Sequence, residues 1–245
     1  MPYELNEFGQ PLGALVANWT VPPRPIAQVL NGTYCRIEPL KPDHASNLYA
    51  ALGTEQNARG WTYLNYGPFA TQVEFEQWIA GICGQSDPVF YALLNPAGTA
   101  LGLASYLRME PSAGSIEVGH LHFSPAMART AIATEAMYLM MQQAFAWGYR
   151  RYEWKCNALN SPSRRAAQRL GFSFEGVFRQ AGINKGRNRD TAWFAITDGD
   201  WPALQKVLVS WLAADNFTAE GKQLSALSDL TAPLLVMRDS GLLAG

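Results

Sequence analysis

The sequence is short of charge. Asp, Glu, Lys and Arg make up only 16% of its 245 residues, and 19 cations against 20 acids leave a net charge of −1. That balance excludes a generic polyanion binder. With 48% hydrophobic and 12% aromatic residues, it also excludes a disordered, collagenous or coiled-coil chain. Cysteine is scarce too. Cys35, Cys83 and Cys156 are too few and too scattered for a disulfide framework or a CxxC metal site, and they fit a reducing compartment. Residues 1–20 carry Glu4 and Glu7 and lack a basic start followed by an apolar core, so no signal peptide is read there. One uncharged stretch, Pro88 to Leu107, has the length of a membrane span. Asn95-Pro96-Ala97-Gly98-Thr99 breaks it with turn chemistry, which predicts two strands and a hairpin instead.

What charge there is sits unevenly. Residues 149–190 hold ten Lys/Arg and three acids (Glu153, Glu175, Asp190), a net +7 set against −8 for the remainder. Such a field attracts an anionic ligand such as nucleotide phosphates, RNA or an acidic protein. Equally, it pairs with the acidic remainder of the chain.

The proline-rich stretch 1–32 reads as an irregular arm. Thr33 to Leu40 reads as a strand, Asp43 to Leu52 as a helix, and Thr71 caps a helix running to about Cys83. Strands are predicted at 88–95, 100–108 and 115–123. On the last, alternation puts Ile116, Val118, His120 and His122 on one face and Glu117, Gly119, Leu121 and Phe123 on the other. A buried helix from Thr130 to Trp147, closed by Gly148, follows. Next come a strand at 151–156, a helix opened by Asn160, Ser161 and Pro162, strands at 173–181 and 190–197, and a helix capped by Asp200. The tail from 216 carries weak signals. The mixture implies one α/β (α+β) domain.

Three places have chemical potential. The helix start at Arg129, Thr130 and Thr134 offers free N–H groups, hydroxyls and a cation to a phosphate; Thr130 also serves as a plain cap. Asn160 and Ser163 open the next helix, either as a capping network or as site residues, with Arg164, Arg165, Gln168 and Arg169 on its outer side. Glu117, mid-strand among apolar neighbours, reads as a general base with a raised pKa or as a carboxylate paired to an arginine. His120 and His122 lack a third ligand nearby, so no metal site is read.

Together these motifs resemble the GNAT N-acetyltransferase superfamily, of the ribosomal-protein (RimJ/RimL-like) type. The resemblance runs from about Thr33 to Asp198. It is carried by Gly102, Ile116-Glu117-Val118-Gly119-His120, Ala133-Thr134-Glu135-Ala136, Asn160-x-x-Ser163, Leu170-Gly171-Phe172, and Glu175-Gly176 with Arg179. It implies a GNAT-like acyl-CoA N-acyltransferase fold whose mixed sheet splays between its fourth and fifth strands, here 115–123 and 151–156. Residues 33–198 would form that domain, with 1–32 as an arm and 199–245 as a helical extension. Acetyl-CoA, with no metal, would lie in the cleft. Its pyrophosphate would meet Met127, Ala128, Arg129, Thr130, Ala131 and Thr134, with Arg164 contributing. Its pantetheine would pair along Leu121, His122 and Phe123. Glu117 would be the general base; Ser163, positioned by Asn160, would donate to the leaving thiolate. The family's phosphate loop usually has glycines where this chain has Arg129 and Ala131.

The implied reaction is acetyl transfer from acetyl-CoA to a primary amine, a protein N-terminus or a small molecule, by a cytoplasmic monomer or homodimer. A non-catalytic CoA- or peptide-binding protein of the same fold is the second reading. RNA or ribosome association through the basic segment is the third, without interleaved aromatics to support it. Lys185, Arg187 and Arg189 are expected to form a mobile positive lip that steers an acidic acceptor or the phosphate end of CoA.

Overall fold

A computed structural model describes residues 4–242. Strands β1 (Glu4–Leu5) and β2 (Pro11–Leu12) make a small separate hairpin. The other strands are β3 (Leu30–Asn31), β4 (Arg36–Pro39), β5 (Val89–Leu94), β6 (Ala100–Glu110), β7 (Ser115–Phe123), β8 (Arg151–Asn157), β9 (Ser173–Asn184) and β10 (Arg187–Thr197). They form one sheet in the order β3-β4-β5-β6-β7-β8-β10-β9. Every neighbouring pair is antiparallel except β7 and β8, which run parallel. The helices are α1 (Ala45–Leu48), α2 (Gln72–Ile82), α3 (Ala131–Ala146), α4 (Ser161–Arg169), α5 (Trp201–Leu212) and α6 (Leu227–Thr231).

The uncharged run at 88–107 is explained by burial on both faces. Along β5, Val89, Tyr91 and Leu93 join the core around α3, α4 and α5, while Phe90, Ala92 and Leu94 join the core around α1, α2 and Trp61. The connecting turn forms as predicted, with Asn95 Oδ1 accepting from Thr99 N at 2.9 Å. Among the described residues, no helix is long and apolar enough to cross a membrane.

The segment after β4 departs from expectation. Instead of one helix over 43–52 it runs as a 3-10 turn (Pro42–His44), α1, a π turn (Tyr49–Gly53) and a further 3-10 stretch (Glu55–Trp61). Side chains from the later stretch explain the early stop. Trp61 Nε1 donates to Leu52 O and Asn57 Nδ2 to Ala51 O, both at 2.9 Å, satisfying carbonyls that a continuing helix would have used.

The arm is not wholly irregular, because β3 extends the sheet. It is fastened by Glu135 of α3, whose buried carboxylate accepts from Thr33 N (2.8 Å), Tyr34 N (2.6 Å) and Cys35 N (2.8 Å). Burial and the nearby Glu135 carboxylate push the Cys35 thiol well up, so that thiol stays protonated. Asp200 opens α5, but not as the expected cap: its carboxylate turns back onto Thr197 N and Oγ1 (2.9 and 2.8 Å).

Candidate active site

The site begins with a break in the alternation of β7. Leu103 of β6 faces His122 and Ser105 faces Gly119, so β7 fits one extra residue into that interval. The bulge sits at His120, whose φ is +52°. Beyond it, inward and outward exchange. Ile116 and Val118 before the bulge, and Leu121 and Phe123 after it, all pack toward the core around α3. His120 and His122 turn to the opposite side, against Tyr66 and Phe90, and against Trp61, respectively. The two faces expected for this strand are therefore wrong past Gly119, because a bulge shifts a period of two by one residue.

The parallel pairing with β8 runs from Ser115–Arg151 to Val118–Trp154 and stops. Past that point the strands diverge, and two cavities open in the gap. Leu121, Trp154, Asn160 and Ser163 line both.

The larger cavity, about 680 Å³, lies against α3 and α4 and is mostly apolar. Ala128, Arg129, Thr130, Ala131 and Thr134 line it at one end. Thr130 holds the cap position of α3, but its hydroxyl bonds Met127 O at 2.6 Å rather than capping the helix. The first-turn N–H groups are thus left for a ligand. Arg129 has φ +66°, the conformation a glycine would adopt there, so the loop keeps its shape without the glycine and gains a cation. The opposite wall comes from Trp211, Phe217, Gly221, Lys222 and Gln223 of the C-terminal segment, with Arg169 stacked over Trp211 at 5.0 Å and bonded to Thr134 Oγ1 at 3.1 Å.

The side chains of three residues expected at this cavity lie elsewhere. Met127 is fully buried in the core. His122 is turned away by the bulge. Arg164 is committed to Asp239, with Nε at 2.6 Å and Nη2 at 2.5 Å, and to Ala158 O through Nη1 at 2.8 Å. Of the four residues assigned to the outer side of α4, only Arg165 is exposed.

The smaller cavity, about 150 Å³, is polar and charged. Glu117, Arg108, Lys155, His120 and Arg189 line it. Glu117 Oε2 meets Lys155 Nζ at 3.0 Å and Arg108 Nη1 at 3.2 Å. Burial raises the Glu117 pKa above the usual carboxylate value, although Lys155 and Arg108 pull the other way. Lys155 also bonds Glu153 at 2.7 Å and lies 3.8 Å from the centre of the Trp193 ring. Burial, with Arg108 and Arg189 nearby, drops His120 to about 4, so it is neutral; its Nδ1 lies 2.6 Å from the Tyr66 hydroxyl.

Between the cavities, Asn160 caps α4 by accepting from Ser163 N at 3.2 Å, and Trp154 Nε1 donates to Ser163 Oγ at 3.0 Å. The indole thereby occupies one lone pair of the hydroxyl and leaves its O–H free to donate elsewhere.

A splayed parallel pair, a strand edge free to pair and an open helix start are the features the motifs implied; the bulge is not among them. The acetyltransferase (GNAT) domain pattern matches residues 35–173, more than half of the chain. The chain belongs to the GNAT acetyltransferase family. It is similar to a GCN5-related N-acetyltransferase from Brucella melitensis, with 43% identity and a TM-score of 0.86 over 89% of this chain and 100% of that one. It is also similar to a probable GNAT-family acetyltransferase from Chromobacterium violaceum, at 39% identity and a TM-score of 0.73 over 79% of this chain and 98% of that one. RimL, a ribosomal-protein alpha-N acetyltransferase, shares 18% identity and a TM-score of 0.61 over 73% of this chain and 99% of its own, which shows the fold alone. Among curated proteins none matches.

The two cavities also contain residues that the sequence did not single out. Trp154, Lys155 and the wall from Trp211 to Gln223 were passed over. Arg169 was read only as one of the residues on the outer side of α4. The wall could not have been found, because nothing local marks it.

Proposed function

We propose that this GNAT protein moves the acetyl group of acetyl-CoA to a primary amine by direct transfer in a ternary complex. The observation that carries the reading is the pair of cavities meeting at Ser163: one apolar with an open helix start, the other charged around Glu117. The larger cavity suits the cofactor. Arg129, Lys222 and the free N–H groups of α3 suit its phosphates, and the unpaired edge of β7 at Leu121–Phe123 suits an extended amide chain.

Bound there, acetyl-CoA supplies an activated thioester. The protein does the rest. Glu117 takes, through a water, the proton that the amine loses as the C–N bond forms. Backbone N–H groups of the β7 edge hold the carbonyl oxygen while it carries charge. The Ser163 hydroxyl donates its proton to sulfur as the C–S bond breaks, so the thiolate leaves as a free thiol, and the proton taken up by Glu117 returns through water to Ser163. The three cysteines have no part in this.

The test is a panel of amine acceptors with acetyl-CoA, reading free thiol. Amine-dependent release is expected, together with a melting temperature raised by acetyl-CoA alone. A raised melting temperature with no release for any amine would make this a CoA-binding protein without turnover.

A further inference from the structure

The acceptor cavity has more positive charge than Glu117 can balance. Arg108, Lys155 and Arg189 line it, Glu117 is the one acid among its lining residues, and His120 is neutral. The three cations differ in how far they are already satisfied. Lys155 is held by Glu117, Glu153 and the Trp193 ring, with its side chain 6% exposed. Arg108 spends Nη1 on Glu117 and is otherwise open, its side chain 61% exposed. The Arg189 side chain has no ion pair or hydrogen bond among the described residues, and its Nε is buried without a partner. A buried guanidinium N–H left unpaired costs free energy that a fitting anion would recover. Arg108 and Arg189 line the same cavity, together with His120.

The segment that carries Tyr63, which lines the cavity, is held in place by three hydrogen bonds. Tyr63 Oη donates to Leu159 O at 3.2 Å, Asn184 Nδ2 to Tyr63 O at 3.3 Å, and Lys185 Nζ to Trp61 O at 2.8 Å. These three bonds tie the 61–63 segment to the β8–α4 connection and to the β9–β10 turn. With about 150 Å³ inside, the space suits a small molecule better than a folded protein surface.

We propose that the acceptor is a small primary amine that also carries a carboxylate, in the manner of a free amino acid. The carboxylate takes the fork of Arg189, aided by Arg108, and so turns the amine toward Glu117. A diamine would set its second ammonium against the uncompensated cations. This inference rests on the acetyl-transfer reading and narrows its acceptor.

The experiment compares free amino acids with their own carboxamides, with putrescine and with a hexapeptide of acidic N-terminus, using the full chain, acetyl-CoA and free-thiol release. Expected is at least one amino acid whose kcat/KM exceeds that of its carboxamide about ten-fold or more, with putrescine and the peptide slower still. In Arg189→Gln the advantage should shrink toward one, through a higher KM for the acid and an unchanged KM for the amide. Arg189→Lys, which keeps charge but not the fork, should restore part of it. Thermal shift by the same amino acid in the presence of CoA should fall with the same substitution, while the shift by CoA alone should not. Equal or better use of the amide, the diamine or the peptide overturns the proposal and leaves acetyl transfer standing. Equal loss for acid and amide in Arg189→Gln also overturns it, since that marks a structural role. Thiol release from no amine at all removes the underlying reading, and the proposal with it.

Discussion

The two ends of the cleft solve opposite problems. The end proposed for the cofactor is wide, apolar and open at a helix start whose own cap has turned away; its attraction for anions comes from backbone N–H groups and scattered cations. The end proposed for the acceptor is narrow, bordered by a segment held by three hydrogen bonds, and crowded with charge. One strand serves both. The first half of β7, Ser115 to Val118, is bonded to β6 and β8 and holds Glu117 still; the second half, past the bulge, has a free edge. A single extra residue at His120 separates the paired half that carries Glu117 from the half with the free edge.

The acceptor end is where a small chemical change has the largest effect. Glu117→Gln preserves shape and removes the proposed base. It is expected to lower kcat by about 10²-fold or more while the acetyl-CoA Kd changes little, since Glu117 lines only the acceptor cavity. In the wild type, burial places the carboxylate pKa above its ordinary value, so the rate should climb with pH through that raised value. Steady-state rates across pH, with cofactor affinity measured separately, check both. An unchanged rate, or equal losses of rate and cofactor affinity, would move the base to another group.

Much of this was legible in the sequence, and the failures have physical causes. The hairpin at Asn95–Thr99, the run of α3 and the cap of α4 follow from local chemistry that tertiary packing left intact. The bulge was missed although Gly119 stands beside it, because strict alternation leaves no room for an extra residue. Met127 and Arg164 were misplaced for non-local reasons. One fills the core, and the other finds Asp239 some 75 residues later in the chain. The basic third is likewise less free than its +7 suggests: Arg151 pairs with Glu153 and Glu175, Lys155 with Glu117 and Glu153, and Arg164 with Asp239. The positive lip proved to be a two-residue turn, Lys185-Gly186 at φ +48° and +73°, between strands longer than expected.

Behind the acceptor end, His122 offers a test of stability. It is buried against Trp61, 4.2 Å between ring centres, and burial drops it to about 4 from 6.5. Its folded value lies below its unfolded value, so its contribution is fully present above pH 6.5. It is lost as pH falls from 6.5 toward 4, because the unfolded chain takes up a proton that the folded chain refuses. The full loss is about 3 kcal/mol. Glu153, held low because Lys155 and Arg151 outweigh its burial, adds a further loss as pH falls below the ordinary 4.5 toward its lowered value. His122→Phe keeps a ring on Trp61 and removes the titration. Denaturant melts at pH 7, 5.5 and 4.5 should show the wild type losing stability faster than this variant; equal losses would place the acid sensitivity elsewhere.

At the cofactor end single changes should cost less, because many groups share the load. Arg129→Gly is the sharpest of them. Glycine relieves the left-handed backbone by about 1 kcal/mol and loses a similar amount through freedom in the unfolded chain. Stability without cofactor should therefore hold within about 1 kcal/mol. Acetyl-CoA affinity should fall about ten-fold at low salt, the worth of one charge-assisted contact, and the gap should narrow as salt rises. Isothermal titration at two ionic strengths measures it. A tighter complex would show that the loop is limited by strain and that the cation does not meet a phosphate.

Arg187 carries the smallest expected effect, and it separates proximity from position. It sits two residues from Arg189 along β10 and shares the same basic run. Yet Arg187 is exposed and lines neither cavity, whereas Arg189 faces the acceptor space with an unpaired buried N–H. An exposed charge interacts through water, where neighbouring ions screen it over roughly 10 Å and its contribution is about 0–1 kcal/mol. Arg187→Gln should therefore change kcat/KM for any acceptor less than about two-fold at ordinary ionic strength, with a slightly larger effect at low salt. The same rate measurements across a salt series decide it. A loss as large as that of Arg189→Gln would mean that the whole run steers by its field. Discrimination would then be a property of the net charge of the hairpin, and the fork at Arg189 would have no special part in it.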